Sequence, residues 1–266
     1  MLLGLILLLS LAAAAADWLH FRRARRARFR RLSLAWAAAT DALPLAVVGM
    51  GLLCRDNPTP VVMASMWLFW VWMATVLPRL AFYAFNFFGL RRTGLAAAAA
   101  VFAALVIGVT AGRTSLRVSR TEVCSPALPA TFDGLRIVQL SDIHLGTIVS
   151  PGRELTRLAD RVNALRPDLV LFTGDLVNIR ASELDSTAVR LLRRIEAPVY
   201  SVTGNHDVGK YIKDSLRHPA AESLREVIAR QRAMGWRVLD DETVYLRRGG
   251  DSIALTGLSF DPALSE

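Results

Sequence analysis

Apolar positions divide the chain in two. Over the first 112 residues they form long, nearly uninterrupted runs; from Leu135 onward they come as short runs or at helical spacing, separated by polar turns. Met1 to Ala16 is continuously apolar and reaches spanning length if Trp18 and Leu19 extend it to the membrane interface. Leu34 to Leu53 is a second such run, interrupted by Asp41 and Pro44. Val61 to Leu77 has no charged residue and predicts a third span. Pro78-Arg79 is expected to kink or end it, leaving the aromatic run Phe82 to Phe88 towards the interface. Leu95 to Gly112 is Ala-rich and predicts a fourth span suited to close helix packing.

Arg113 to Ala130 is a polar connector with Pro126 and Pro129, expected to hold a linker and an edge strand. The pattern then becomes strand, helix, strand. Leu135 to Leu140, Asp168 to Phe172 and Val199 to Val202 are short apolar runs of the kind that form buried parallel strands. Between them, Ser150 is the expected cap of a helix with Pro151 in its first turn, burying Leu155, Leu158, Ala159, Val162 and Leu165 until Pro167. Ser182 is the expected cap of a second, burying Leu184, Ala188, Leu191, Leu192 and Ile195. A third runs from about Pro219 to Gly235. Trp236 to Leu239, Thr243 to Leu246 and Ile253 to Leu258 follow as strands, with a turn at Arg247 to Asp251. The expected domains are a membrane domain at 1–112, a connector at 113–133 and an α/β domain at 134–266.

Charge changes this picture in one respect. Residues 1–112 hold 11 Lys+Arg and 3 Asp+Glu, a net of +8; residues 113–266 hold 21 and 20, a net of +1, which together make the chain's +9. The positive charge therefore sits between apolar segments and not on the folded domain, which argues against a nucleic-acid surface. It reads as a topology signal instead. Seven Arg lie between Arg22 and Arg31, and Arg91-Arg92 follow the third span, whereas Cys54 to Pro60 carries one Arg offset by Asp56. The first and third connections are thus expected in the cytoplasm, and everything after Gly112 on the opposite face of an inner membrane. A cleaved signal peptide ending at Ala14-Ala15-Ala16 is the rival reading of the first run, but its positive charge would precede the apolar core, and here it follows. Asp41 is costly within a span and is expected to reach the interface or one of the nearby Arg. Cys54 and Cys124 are the only cysteines, too few for a disulfide framework; two small apolar residues explain them better than a bridge.

Each of the three strand runs ends in polar residues of metal-binding type. The first leads into Ser141-Asp142-Ile143-His144, the second into Thr173-Gly174-Asp175, the third into Thr203-Gly204-Asn205-His206-Asp207. Loops at the carboxyl ends of parallel strands are where open α/β sheets place ligands. Asp142 and His144 are two residues apart, so in an extended segment both leave on one face. Asp175 offers two oxygens, Asn205 a carbonyl, and His206-Asp207 an imidazole beside a carboxylate. Mixed nitrogen and oxygen donors suit Mn, Fe or Zn better than Ca. Each signal alone is weak, but three ligand groups after three consecutive strands are hard to obtain by accident.

Ser141-Asp142-Ile143-His144, Gly174-Asp175 and Gly204-Asn205-His206-Asp207, in this order, resemble the first three motifs of the calcineurin-like metallophosphoesterases. Leu140 to Gly146 and the spans ahead of it resemble their membrane-associated phosphodiesterase-like branch. The resemblance covers roughly Arg136 to Phe260. It implies an αββα sandwich holding two divalent metals, with Asp142 and His144 on the first, Asp175 bridging, Asn205 on the second, and His206 as general acid held by Asp207. It further implies hydrolysis of a phosphate mono- or diester by a dinuclear-metal hydroxide, and the membrane domain makes a lipid-linked or cell-envelope phosphate ester the natural substrate class. The family also has a His in its second sheet and a later Gly-His-x-His, and nothing here matches them: the remaining histidines are His20 and His218. The domain is therefore expected to be carboxyl-terminally incomplete. The alternative function is a non-catalytic membrane scaffold, or a truncated product, with an incomplete metal site.

Overall fold

The computed structural model describes residues 2–22, 27–54, 57–213 and 219–260. They form two compact units, Met1–Ser115 and Leu116–Glu266.

The first unit is all helical, with α1 Leu2–Phe21, α2 Ala27–Asp41, α3 Leu43–Leu53, α4 Thr59–Asn86 and α5 Arg91–Ile107, the last continuing as a π turn over Gly108–Gly112. Gly4–Phe21, Thr59–Asn86 and Arg91–Gly112 are long and apolar enough to cross a membrane; α2 and α3 form a pair bent by 41° that becomes a fourth span if taken as one. The break has a local cause. Pro44 lacks an N–H and is tolerated only in the first turn of a helix, so the chain ends α2 at Asp41 and restarts at Leu43. Of the two outcomes expected at Pro78, an end to the helix is not what the chain shows: α4 runs through it to Asn86, and the aromatic run lies in and just beyond its last turn. Arg79 Nε takes up one carbonyl beside the break, donating to Thr75 O at 2.9 Å. Gly89, with φ +76°, turns the chain into α5, and Gly94 lets the two helices close, because a Cβ there would lie 2.8 Å from the Phe82 carbonyl oxygen.

Three helices are tied by one guanidinium. Arg79 of α4 pairs with Asp17 of α1 and Asp41 of α2, and donates to the Thr40 hydroxyl at 3.0 Å; Tyr83 donates to Asp17. Asp41 was expected at the interface or on the Arg-rich segment. It meets Arg79 instead, because a carboxylate in an apolar bundle needs an opposite charge beside it, and α4 carries one at that level. Beside this network Trp72 stacks on Phe69 with centroids 5.4 Å apart and donates to Ser10 at 2.9 Å.

The second unit is built on a fully parallel sheet in the order β1 (Ile137–Leu140), β2 (Leu169–Phe172), β3 (Val199–Ser201), β4 (Arg237–Val238). Helices α6 (Pro151–Ala164), α7 (Ser186–Leu192) and α8 (Ala220–Ala233) connect these strands. Leu155, Ala159 and Val162 of α6, Ala188 and Leu192 of α7, and Val227 of α8 share one core with Val170, Phe172 and Val199. Burying each large member contributes about 1.5–3 kcal/mol. β2 is buried as expected, but β1 is an edge strand whose Ile137 is 47% exposed. An antiparallel hairpin of β5 (Glu242–Arg248) and β6 (Asp251–Gly257) follows, turned by Gly249-Gly250, both at positive φ, as a two-residue hairpin loop requires. Among the described residues this hairpin is the second sheet of the α/β unit.

Local chemistry departs from expectation at three points. The Ser150 side chain caps nothing; the Glu154 carboxylate accepts its N–H at 3.1 Å. Asp185, not Ser182, caps α7, accepting from Ala188 N at 2.8 Å, while Ser182 lies in a 3-10 turn at Ala181–Glu183. A carboxylate accepts from a helix amino end more strongly than a hydroxyl. Arg113 to Ala130 forms no strand: its two prolines remove ladder donors, and its side chains lie mostly exposed. Gly235, with φ +87°, follows the end of α8 as the pattern implied.

Candidate metal centre

The three motif loops leave the carboxyl ends of β1, β2 and β3 and bond to one another. Asp142 N donates to Gly174 O and His144 N to Asp175 O, both at 3.1 Å, and Leu145 N to Leu176 O at 3.0 Å. His206 N donates to Asp175 Oδ1 at 2.9 Å. These bonds draw Asp142, His144 and Asp175 into the left-handed region, at φ 56°, 46° and 61°. The extended geometry expected for Asp142-Ile143-His144 is therefore not what brings their side chains together; alternate left-handed residues do so. Strained positions of this kind cost about 1–3 kcal/mol each and persist where surrounding bonds hold them. The motif glycines are needed for closeness: a Cβ on Gly174, at φ +98°, would lie 2.6 Å from Gly204 N, and one on Gly204 would lie 2.2 Å from Asp175 Oδ1.

His144, Asp175 and His206 each bring one donor atom within 4.8 Å of the others. His144 Nε2 lies 3.5 Å from Asp142 Oδ1 and 4.0 Å from Asp175 Oδ2. The two imidazoles meet edge to face, centroids 4.4 Å apart. Asp142, His144, Asp175 and His206 thus converge. Asn205 stands in the same loop as His206, its Nδ2 donating to the Tyr211 hydroxyl at 2.9 Å. His20 belongs to the helical unit, against Phe21, Phe82 and Tyr83. His218 lies outside the described residues.

Asp207 does not hold the His206 ring. It is fully buried and accepts four backbone N–H groups, from Asp175 at 2.8 Å, Leu176 at 2.9 Å, Val177 at 3.0 Å and Gly204 at 3.0 Å. It is the clasp between the second and third loops. Burial pushes its carboxyl above the usual carboxylate range, outweighing the N–H donors that favour the charged form. The ring is held by Asn178, whose carbonyl lies 2.6 Å from His206 Nδ1. That contact puts the proton on Nδ1 and leaves Nε2 as the working nitrogen.

Sequence reasoning missed Asn178, Glu183 and Tyr211. Glu183 accepts from Gly146 N at 3.1 Å, Asn178 N at 2.5 Å and Ile179 N at 3.2 Å, joining the loop after β1 to the loop after β2. No spacing announces it, since Gly146 is 37 residues away. Asn178 acts through its backbone, which any residue possesses.

The donor set fits a divalent cation. It combines imidazole nitrogen with carboxylate oxygen, and among the described residues neither Asp142 nor Asp175 is paired with Arg or Lys. A cluster of two carboxylates and two imidazoles without a resident basic partner is charge-matched by a cation.

Residues 135–264 match the calcineurin-like phosphoesterase family, and this part of the chain belongs to it as a metallophosphoesterase domain. The family uses divalent metals. Three relatives show its range. A transmembrane protein with metallophosphoesterase domain from Danio rerio is 39% identical over 103 residues, 38% of this chain and 23% of the relative. The UDP-2,3-diacylglucosamine pyrophosphatase LpxG of Chlamydia muridarum is 31% identical over 117 residues, 43% of this chain and 35% of the relative. The uncharacterized metallophosphoesterase YkuE of Bacillus subtilis is 37% identical over 90 residues, 33% and 31% respectively. The matched stretch spans between about a quarter and a third of the length of these relatives. No solved structure matches the chain.

Proposed function

We propose that the chain is a membrane-anchored, metal-dependent phosphoesterase acting on a phosphate mono- or diester. The observation that carries this is the convergence of His144, Asp175 and His206 within 4.8 Å, beside Asp142, at the carboxyl ends of parallel strands. In this reading Asp142 and His144 would hold one divalent ion, Asn205 would hold a second, and Asp175 would serve both. Such ions supply Lewis acidity to a phosphoryl oxygen and lower the pKa of bound water. The chain's own residues do the rest. The clasp at Asp207 and the strut at Glu183 keep the loops in register, and Asn178 holds His206 by Nδ1, so that with a second proton taken up on Nε2 the ring would give that proton to the leaving oxygen.

The apolar helices and the transmembrane relative support attachment to a membrane. A lipid-linked phosphate ester suits that placement, and a relative named for a diacylated sugar nucleotide supports the choice. The Arg asymmetry of the helical unit supports an inner membrane with the α/β unit outside the cytoplasm. One observation favours a scaffold instead: His144 Nδ1 is buried without a partner among the described residues, whereas catalytic metal sites usually brace that nitrogen. Metal content and hydrolysis of a model phosphodiester, measured on the chain in detergent, decide between the two. Tight metal with turnover lost in Asp175→Asn supports the enzyme; neither metal nor turnover in the unaltered chain supports the scaffold.

A further inference from the structure

We infer that the cavity between α1, α2 and α4 holds an anionic phospholipid, with its phosphate at Arg28 and Arg30 and its acyl chain against the aromatic walls. This goes beyond the phosphoesterase reading and concerns the helical unit alone. The cavity is about 480 Å³, within the range of about 300–1,000 Å³ that small-molecule sites occupy. Phe21 of α1, Trp36 of α2, and Phe82 and Tyr83 of α4 wall it, with Leu32 and Ser33 at one side. Its floor belongs to the Arg79 network: Asp17 and Arg79 line it, and the guanidinium lies 5.3 Å from the centre of the Trp36 ring. His20 stands at the rim, its ring centre 5.9 Å from that of Phe82 and 5.5 Å from that of Tyr83.

Asp17 and Arg79 sit one turn deeper in their helices than Phe21 and Tyr83, so the mouth faces the end at which α1 passes into α2. That end carries seven Arg between Arg22 and Arg31. Residues 1–112 hold only three carboxylates to match them: Asp17 and Asp41 are both on Arg79, and Asp56 lies in the next connection. Arg28 stands four residues before Leu32 and Arg30 three before Ser33, spacings that put them on the lining face of α2. Side chains of a helix lean towards its amino end, which here is the mouth. Arg28 is exposed and Arg30 half-buried, and among the described residues neither has a carboxylate partner. The floor opposes this rim. Two carboxylates against one guanidinium leave it one negative charge in excess, so an anionic group is kept out of the depth and held at the mouth. Leu32 and Trp36 are exposed, which leaves the wall open to the side for an acyl chain to run on into the bilayer. A free phosphate would make no use of that aromatic wall, which decides for the lipid.

The test uses the full chain in detergent and phosphatidylglycerol with a fluorescent acyl chain, its binding followed by anisotropy. Binding is expected to saturate and to be displaced by unlabelled phosphatidylglycerol, but by neither phosphatidylcholine nor inorganic phosphate at the same concentration. Arg28→Gln combined with Arg30→Gln is expected to weaken it about 10-fold or more, the scale for two arginines lost near a lipid surface. Arg91→Gln combined with Arg92→Gln removes the same charge from exposed positions at the start of α5, and is expected to leave binding unchanged. Ser33→Trp fills the cavity from its side and is expected to lose binding with the circular dichroism spectrum unaltered. Equal losses from the two Arg pairs would reduce the effect to diffuse surface charge and overturn the inference. Displacement by phosphatidylcholine or by inorganic phosphate as strong as by phosphatidylglycerol overturns it too, as does the absence of saturable binding. A Ser33→Trp chain that folds and binds as before shows that the cavity is not the place; if that variant unfolds, the comparison of the two Arg pairs decides alone.

Discussion

Asp175 is the residue on which the site turns. Its backbone accepts from His144, its carboxylate accepts from His206 N, and its own N–H is held by Asp207. Asp175→Asn should release bound metal and abolish hydrolysis, because a neutral amide no longer offsets charge on the ions; metal analysis on the purified variant checks it. His206→Ala should keep the metal and slow turnover by about 10²–10⁴-fold, most for poor leaving groups that need protonation. Loss of metal in that variant would make His206 a ligand, as its place beside His144 and Asp175 also allows. Gly204→Ala should be as damaging to metal binding as Asp175→Asn, since its Cβ would fall 2.2 Å from Asp175 Oδ1 and 2.8 Å from Asp175 N. At this scale the motif residues were legible because the chemistry needs those side chains. The role of Asp207 was not: it depends on four N–H groups, three of them about 30 residues distant in the chain.

At the scale of elements, period and length identified the helices and parallel strands, and a helix broke at Pro44 while α4 continued through Pro78. The difference is context. Pro44 stands in the first turn of α3, where its missing N–H is not needed, whereas Pro78 lies inside α4 with Arg79 Nε on the neighbouring Thr75 carbonyl. Arg79 also makes the sharpest prediction for the helical unit. Removing it leaves Asp17 and Asp41 buried without their shared partner, so Arg79→Ala should destabilise this unit by about 3–5 kcal/mol, the usual cost of breaking a buried pair from one side. A triple variant that neutralises the whole network, combining Asp17→Asn, Arg79→Leu and Asp41→Asn, should recover much of that loss. Thermal inactivation in detergent measures both; equal losses for the single and triple variants would show that the charges themselves are not what Arg79 balances.

For the whole molecule, the arrangement of Arg predicts topology. Nine Arg lie in the two connections assigned to the cytoplasm and one in the other, so alkaline phosphatase fused after Arg113 should be active and a fluorescent protein at the same place dark. The opposite result would mean that one apolar segment does not span, with the bent α2–α3 pair and the first helix the two to examine. The sequence by itself determined the division into an apolar helical part and an α/β part, the strands of the first three runs and the polar loops that follow them. Those properties follow from local periodicity, from the length of apolar runs and from where polar groups interrupt them, all of which are readable within a few residues. Only the tertiary structure decided that Asp41 meets Arg79, that left-handed backbone and not an extended strand aims Asp142 and His144, and that Asn178 and Tyr211 hold His206 and Asn205. Each of those contacts joins groups from different turns, loops or helices. A carbonyl, an N–H or an exposed phenol gains its role only from what the fold sets opposite it, and that placement is a property of the packed chain.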